Sequence, residues 1–455
     1  MKLPKYSNNW FYFALTAVFA LSVVLRLWHI DWPIADWHSW RQSDTASVAR
    51  NFIKFGFDPL RPRFDDLSNI PSGLDNPMGW RMVEFPLYQL VSARLFAIFS
   101  GISIEIWLRL VTVFVSSLTG LMLGLMFGIP AALLYAVLPY GIYYGRSILP
   151  DPFMVFWAVM AVYLLFRESR YGWVFSAICA AIALLVKPFA VFLLLPVIYL
   201  FLKRFSFIRL FVYSIISLLP LFLWRRWISQ FPEGIAAFTW LFNSNGIRFK
   251  GAWFHWLFAE RLGNLILGYW GLIPFGLGVA KNKEWISRLW LISALFYLII
   301  VATGNVQHDY YQILLLPVIA VYTAKGFAYL LRQSLVLAFV SFVFMLAFSW
   351  FTIRTYYWIN HPEIVEAGRE ADKILPPDAK VIASYNGDTT FLYQTNRQGW
   401  PIGFEIDKKI KMGATHYVTI SPTDNDGETK DLASRYTVLV RNDTYAIIDL
   451  TRPKQ

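Results

Sequence analysis

Residues 36–51, Asp36-Trp-His-Ser-Trp-Arg-Gln-Ser-Asp44-Thr-Ala-Ser-Val-Ala-Arg50-Asn51, place two carboxylates, a histidine, two arginines and two tryptophans just after the first strongly apolar segment. A carboxylate held there can take a proton from a hydroxyl group. Arginine can grip a carboxylate or phosphate through paired hydrogen bonds. Polar density of this kind beside a membrane span points to a functional site. Four further stretches carry similar side chains: Glu84-Phe-Pro-Leu-Tyr-Gln89, Arg146-Ser-Ile-Leu-Pro-Asp151-Pro152, Lys187-Pro188, and His308-Asp309-Tyr310-Tyr311.

The elements that must position these residues are mostly membrane helices. The chain is 57% hydrophobic and only 15% charged over 455 residues, far more apolar than a soluble protein of this length requires. The 20 tryptophans suit a protein with rings at both membrane interfaces. The net charge of +12 falls mostly at the ends of apolar segments, which fits lipid headgroups and membrane orientation and argues against a nucleic-acid partner. Cys179 is the single cysteine, so no intramolecular disulfide can form.

Lys2 and Lys5 precede the first span, about 9–28, which reads as a retained helix with the N-terminus in the cytoplasm. Residues 29–83 then form an external segment. Within it, the spacing of Ala46, Ala49 and Ile53 predicts an amphipathic helix over 44–55 lying along the membrane, with Asp44 at or near its start. The piece opened by Glu84 is too short to span and reads as interfacial or re-entrant, with Pro86 in its first turn. Further spans are expected at 107–127, 130–144, 152–166, 173–186, 188–202, 208–223, 264–280, 285–302, 311–331 and 335–351, making about eleven in all. The loops placed inside carry Arg167, Arg170, Lys203, Arg204, Arg209, Lys281, Lys283, Arg288, Lys325 and Arg332, as the positive-inside rule demands. The fold class is therefore a polytopic α-helical membrane protein. A membrane domain over 1–359 is followed by a small soluble α/β domain over 360–455, placed outside by the odd number of spans.

In this topology Asp36, Asp44, Glu84, Arg146, Asp151, Lys187, His308 and Asp309 all fall on the external face. Basic residues on that face need a reason other than orientation, and an anionic ligand supplies one. Each residue also has a plainer reading. Arg41 and Arg50 suit interfacial anchoring. Asp44 and Asp151 suit helix capping, and Glu84 suits a helix dipole. Lys187 suits a span boundary, and Tyr310 and Tyr311 an aromatic belt. His38, His255 and His308 lack metal-ligand spacing, so a divalent metal through Asp36 and Asp151 stays open but is not indicated. Residues 224–263, with Arg225, Arg226 and His255, suit a mobile lid.

One span, a large acidic external loop, a helix opening on Glu84-Phe-Pro-Leu87, Arg146 to Asp151, Lys187-Pro188 and His308 to Tyr311 together resemble the GT-C membrane glycosyltransferases. The chain is most similar to their glycosyltransferase-39-like branch, which includes protein O-mannosyltransferases and the lipid A aminoarabinose transferase. The likeness covers about residues 10–352, and Tyr393 to Trp400 resembles the external domain of some members. It implies a polyprenyl-phosphate-linked sugar as donor, a lipid, glycan or protein acceptor, and a site on the extracytoplasmic side of the plasma (inner) membrane. A carboxylate would deprotonate the acceptor while Arg or Lys stabilises the departing phosphate.

On this resemblance Asp36, Asp44 and Asp151 are the catalytic candidates. His38, Arg41, Glu84, Arg146, Lys187, His308, Asp309, Tyr310 and Tyr311 are the substrate-binding candidates. Many relatives carry an Asp-Glu pair where this chain has Arg41-Gln42. Asp36 is preferred to Asp44 because it precedes the loop helix, as the family's acid does. The rival readings are a transporter or flippase for a lipid-linked anion, disfavoured by the absence of a repeat, and a non-catalytic assembly subunit.

Overall fold

The computed structural model describes residues 9–167, 169–204, 207–423 and 427–454. Lys2 and Lys5 lie outside the described residues. Contacts divide the chain into two compact units, each assembled from separate stretches. The helical unit comprises residues up to Ile30, Arg109–Trp227 and Phe238–Tyr357; the mixed unit comprises Asp31–Leu108, Ile228–Ala237 and the stretch from Trp358 onward.

Among the described residues, five helical segments are long and apolar enough to cross a membrane: Asn9–Arg26, Ile104–Phe127, Phe207–Ile228, Asp309–Gln333 and Leu335–Ile374. Shorter apolar helices include Pro150–Phe166, Gly172–Val186, Pro188–Lys203, Leu272–Lys281 and Trp285–Ile300. Large apolar side chains such as Phe207, Ile208, Phe211, Leu335 and Phe339 face outward. Water would penalise such a surface, whereas hydrocarbon accommodates it. Helices Leu272–Lys281 and Leu316–Gln333 meet backbone to backbone, because a Cβ on Gly326 would lie 1.6 Å from the carbonyl oxygen of Pro274. Small residues permit this approach where lipid provides no hydrophobic drive between helices.

Two expected spans are interrupted. Residues 130–144 form two pieces, Ile129–Val137 and Pro139–Tyr144, because Pro139 has no N–H to continue the ladder and Leu138 is extended. Residues 264–280 are divided between a π-helix, His255–Ile266, and the helix Leu272–Lys281. Between them, Gly268 and Tyr269 take left-handed backbone conformations that end the first helix.

In the mixed unit, five strands form one sheet: β1 Lys380–Ala383, β2 Gln398–Trp400, β3 His416–Thr419, β4 Tyr436–Arg441 and β5 Ala446–Pro453. Their order is β2-β1-β3-β5-β4, with β1 parallel to β2 and β3, and β5 antiparallel to β3 and β4. Successive residues of β1 alternate between two cores. Val381 and Ala383 pack with Ile364, Phe391 and Ile447. Ile382 packs with Leu67, Trp400, Tyr417 and Ile448. Burial of both faces matches the apolar character of these strands. Leu67 comes from the loop segment 29–83, whose Asp66 forms a parallel bridge with Gly399 of β2. Leu67 N donates to Gly399 O at 2.7 Å, and Gly399 N donates to Asp65 O at 2.9 Å. The loop therefore extends the edge of this sheet, satisfying backbone groups that an open edge would expose.

Candidate active site

The loop helix of the mixed unit runs Ser39–Phe55 and begins after His38, which adopts a left-handed conformation. The expectation of a helix starting at Asp44 is corrected by this earlier start. Asp44 is inside the helix and does not cap it. Nor is the helix amphipathic in the expected sense, since every residue from Arg41 to Ala49 is buried. Arg41, Gln42, Asp44, Thr45, Ser47, Arg50 and Asn51 meet this burial by pairing, as burial requires.

Arg41 donates to Glu84 at 2.6 Å, with both side chains almost fully buried. The plainer readings, an exposed anchor for Arg41 and a bare dipole partner for Glu84, do not describe this pair. Asp36 is buried and accepts from Gln42 Nε2 at 2.6 Å; Gln42 also donates to the carbonyl of Trp37 at 3.1 Å. Asp44 uses both carboxylate oxygens: Arg81 approaches Oδ2 at 3.0 Å, and Thr389 Oγ1 donates to Oδ1 at 2.8 Å. Arg50 is likewise committed, to Asp65 at 2.5 Å and, by stacking at 3.9 Å, to the Tyr393 ring. His38 packs its ring against Trp37, with centroids 5.1 Å apart.

Asp66, next to this group, is pushed up to about 7 by burial, with Ser68 as its hydrogen-bond partner and Asp44 and Arg81 nearby. Because the folded-state value is raised, the neutral carboxyl favours the fold below the unfolded-state value near 3.8. This contribution is lost as pH rises through about 7. Asp66→Asn is therefore expected to flatten the decline in stability between those limits, which limited proteolysis of residues 360–455 across a pH series would measure.

In the helical unit, Asp151 occupies the first turn of Pro150–Phe166, and Lys187 ends Gly172–Val186. Lys187 Nζ lies 2.7 and 2.8 Å from the two oxygens of Asp151. It also lies 5.5 and 5.2 Å from the centroids of Tyr310 and Tyr311. The ammonium is thus matched by one carboxylate and flanked by two ring π-systems in a largely buried setting. His308 stacks on Tyr310 at 5.4 Å and is half-buried.

Asp309 lies at the centre of a tyrosine cage. Tyr144 donates to Oδ1 at 2.5 Å and Tyr356 to Oδ2, while Tyr140 donates to the backbone carbonyl at 2.7 Å. Arg261 approaches Oδ2 at 3.8 Å from the π-helix. Arg146 donates to the carbonyl of His29 at 3.0 Å and faces the Tyr357 ring at 4.7 Å. Among the described residues, no three His, Cys, Asp or Glu side chains group as a metal site would require.

The structure thus joins Asp151, Lys187, Tyr310 and Tyr311 in the helical unit. In the mixed unit it joins Asp36 to Gln42, Arg41 to Glu84, and Asp44 to Arg81 and Thr389. The sequence reading missed Gln42, Arg81, Thr389, Tyr144, Tyr356 and Arg261 as partners. Arg81 could have been found by asking, as for the other basic residues within 29–83, what it faces. Tyr140 and Tyr144 are four apart, on one helix face, which was a second available signal.

No family model and no curated protein matches the sequence. Solved structures do match. ArnT from Cupriavidus metallidurans bound to undecaprenyl phosphate has a TM-score of 0.67 at 13% identity, with 95% of this chain and 97% of that chain covered. Its apo state gives 0.63 at 12% identity over the same shares. An oligosaccharyltransferase from Archaeoglobus fulgidus in complex with Zn and sulfate gives 0.56 at 11% identity, covering 93% of this chain and 71% of that one. With interrupted membrane helices and a small terminal sheet, and with this likeness over nearly its whole length, the chain has the GT-C fold of these structures.

Proposed function

We propose that the protein is a membrane glycosyltransferase that moves a sugar from a polyprenyl-phosphate carrier to an acceptor hydroxyl on the extracytoplasmic side of the plasma (inner) membrane. The observation that carries this reading is the likeness, over 95% of the chain, to an ArnT structure holding undecaprenyl phosphate. In the reaction the acceptor oxygen attacks the anomeric carbon as its proton passes to a carboxylate. The bond from that carbon to the phosphate oxygen breaks, its electron pair leaves on the phosphate, and the anomeric configuration inverts. A phosphate departs without protonation, so one base and one or more cations suffice.

Asp36 is the proposed base. It precedes the loop helix, as the acid of the resembled family does, whereas Asp44 is held at both oxygens and is assigned to structure. Lys187 is the proposed contact to the donor phosphate, with Asp151 positioning it and Tyr310 and Tyr311 walling it. Asp309 holds local structure through its tyrosines. Arg41, Glu84, His38, Arg146 and His308 are assigned to substrate binding and its support, residues 224–263 to a lid, and residues 360–455 to an appended domain of the 1–359 transferase.

The test is transfer of labelled sugar from a panel of polyprenyl-phosphate monosaccharides by membranes containing the chain. Donor-dependent product, absent without the chain, supports the reading. Carrier binding or movement across vesicles with no consumption of any donor would favour the flippase or assembly reading instead.

A further inference from the structure

Arg26 ends the first membrane helix, Asn9–Arg26, and is fully buried. A fully buried charge is costly unless its hydrogen bonds are met. Its acceptors are hydroxyl and carbonyl oxygens. Nη1 donates to Ser22 Oγ at 2.7 Å, to Ser22 O at 3.1 Å and to Ala136 O at 3.1 Å; Nη2 donates to Tyr135 O at 3.0 Å. Ser22 Oγ in turn lies 3.0 Å from Ser117 Oγ.

The two distant acceptors are those left without donors by the helix break. In an uninterrupted helix the carbonyl of Tyr135 would receive the N–H of residue 139, but that residue is proline. The carbonyl of Ala136 would receive the N–H of Tyr140, across an extended Leu138 at φ −59° and ψ 120°. Both carbonyls close the last turn of Ile129–Val137, where a helix dipole presents its negative end and favours a cation. Unmet carbonyls in hydrocarbon are expensive. The guanidinium thus replaces what proline removed. The chain also makes room for it: a Cβ on Gly145 would lie 2.2 Å from Arg26 Nε, although Gly145 has an ordinary φ of −74°.

The segment on the far side of the break is Pro139–Tyr144, which carries Tyr140 and Tyr144 onto Asp309 and leads to Arg146. We infer that Arg26 is a positioning residue: by bracing the break at Leu138-Pro139 it fixes the direction of this half-helix, and hence the Asp309 cage and Arg146. The inference rests on the transferase reading only for its catalytic consequence.

The test compares wild type, Arg26→Met and Arg26→Lys in lipid nanodiscs, by amide hydrogen exchange and by transfer kinetics. In Arg26→Met, exchange should rise in peptides covering 138–146 while other helices keep their protection. Turnover at saturating donor should fall by about tenfold to a hundredfold, with donor KM within about twofold. Arg26→Lys, which keeps the charge and a donor, should recover most of both. Unchanged exchange at 138–146, or a rise spread over all the membrane helices, would overturn the brace. Local loosening with full turnover would overturn its catalytic consequence. A wild-type protein that transfers no sugar would sink the transferase reading, and the exchange data would still support or overturn the brace.

Discussion

Lys187→Met is expected to lower sugar transfer by about a hundredfold or more, the effect of removing a group that stabilises developing charge in a water-poor site. The same change strips Asp151 of the cation that sits within 2.8 Å of both its oxygens. The two side chains are only 11% and 5% exposed, so the carboxylate left behind has little access to water. Breaking a buried pair from one side costs about 3–5 kcal/mol, and poor folding alone could mimic a loss of activity. The double variant Lys187→Met/Asp151→Leu separates the two effects. Replacing both partners with apolar groups restores stability in many buried pairs, so this protein should melt close to wild type yet transfer nothing. Asp151→Asn alone should be unstable and weakly active. A double variant that is both stable and active would remove Lys187 from the chemistry.

Asp36→Asn should reduce turnover by about 10²- to 10⁴-fold, the range for loss of a general base. An asparagine oxygen can still accept the Gln42 bond that Asp36 accepts at 2.6 Å, while it can no longer take a proton. Asp44→Asn should behave in the opposite way. It weakens the 3.0 Å contact to Arg81 and leaves the Thr389 bond available. Activity per folded molecule should persist while residues 360–455 become easier to proteolyse. Single-turnover transfer and proteolysis on the same preparations would test both. If the two variants exchange phenotypes, Asp44 is the base and the pairing seen in the structure rearranges when substrate binds.

Other features depended on how far apart in sequence the cooperating atoms lie. The loop helix was legible from its apolar spacing, but its start was not. The turn Ser39 to Gln42 carries Ser, Arg and Gln and looks like solvent-exposed chain until Glu84 is found against Arg41, and Arg81 and Thr389 against Asp44 just beyond. Strand β2 is three residues long and contains Gly399, so it has no periodicity of its own. It is a strand because β1 on one side and the Asp66 bridge beside it supply its hydrogen bonds. The other four strands carry β-branched or aromatic residues of their own, such as Val381-Ile382 and Ile447-Ile448.

The sequence by itself determined that the chain is a helical membrane protein, roughly where its helices run, that an α/β tail follows, and which stretches concentrate charged and polar side chains. Hydropathy, charge bias and turn residues act locally and sum along the chain, so one sequence suffices to read them. Only the tertiary structure decided that Lys187 holds Asp151 across 36 residues and that Asp44 reaches Thr389 across 345. It likewise placed the Arg26 guanidinium on the carbonyls of Tyr135 and Ala136, just before a proline more than a hundred residues later. Burial makes each of these groups find a partner, but it does not specify in the sequence which partner that is; the packing of distant segments does.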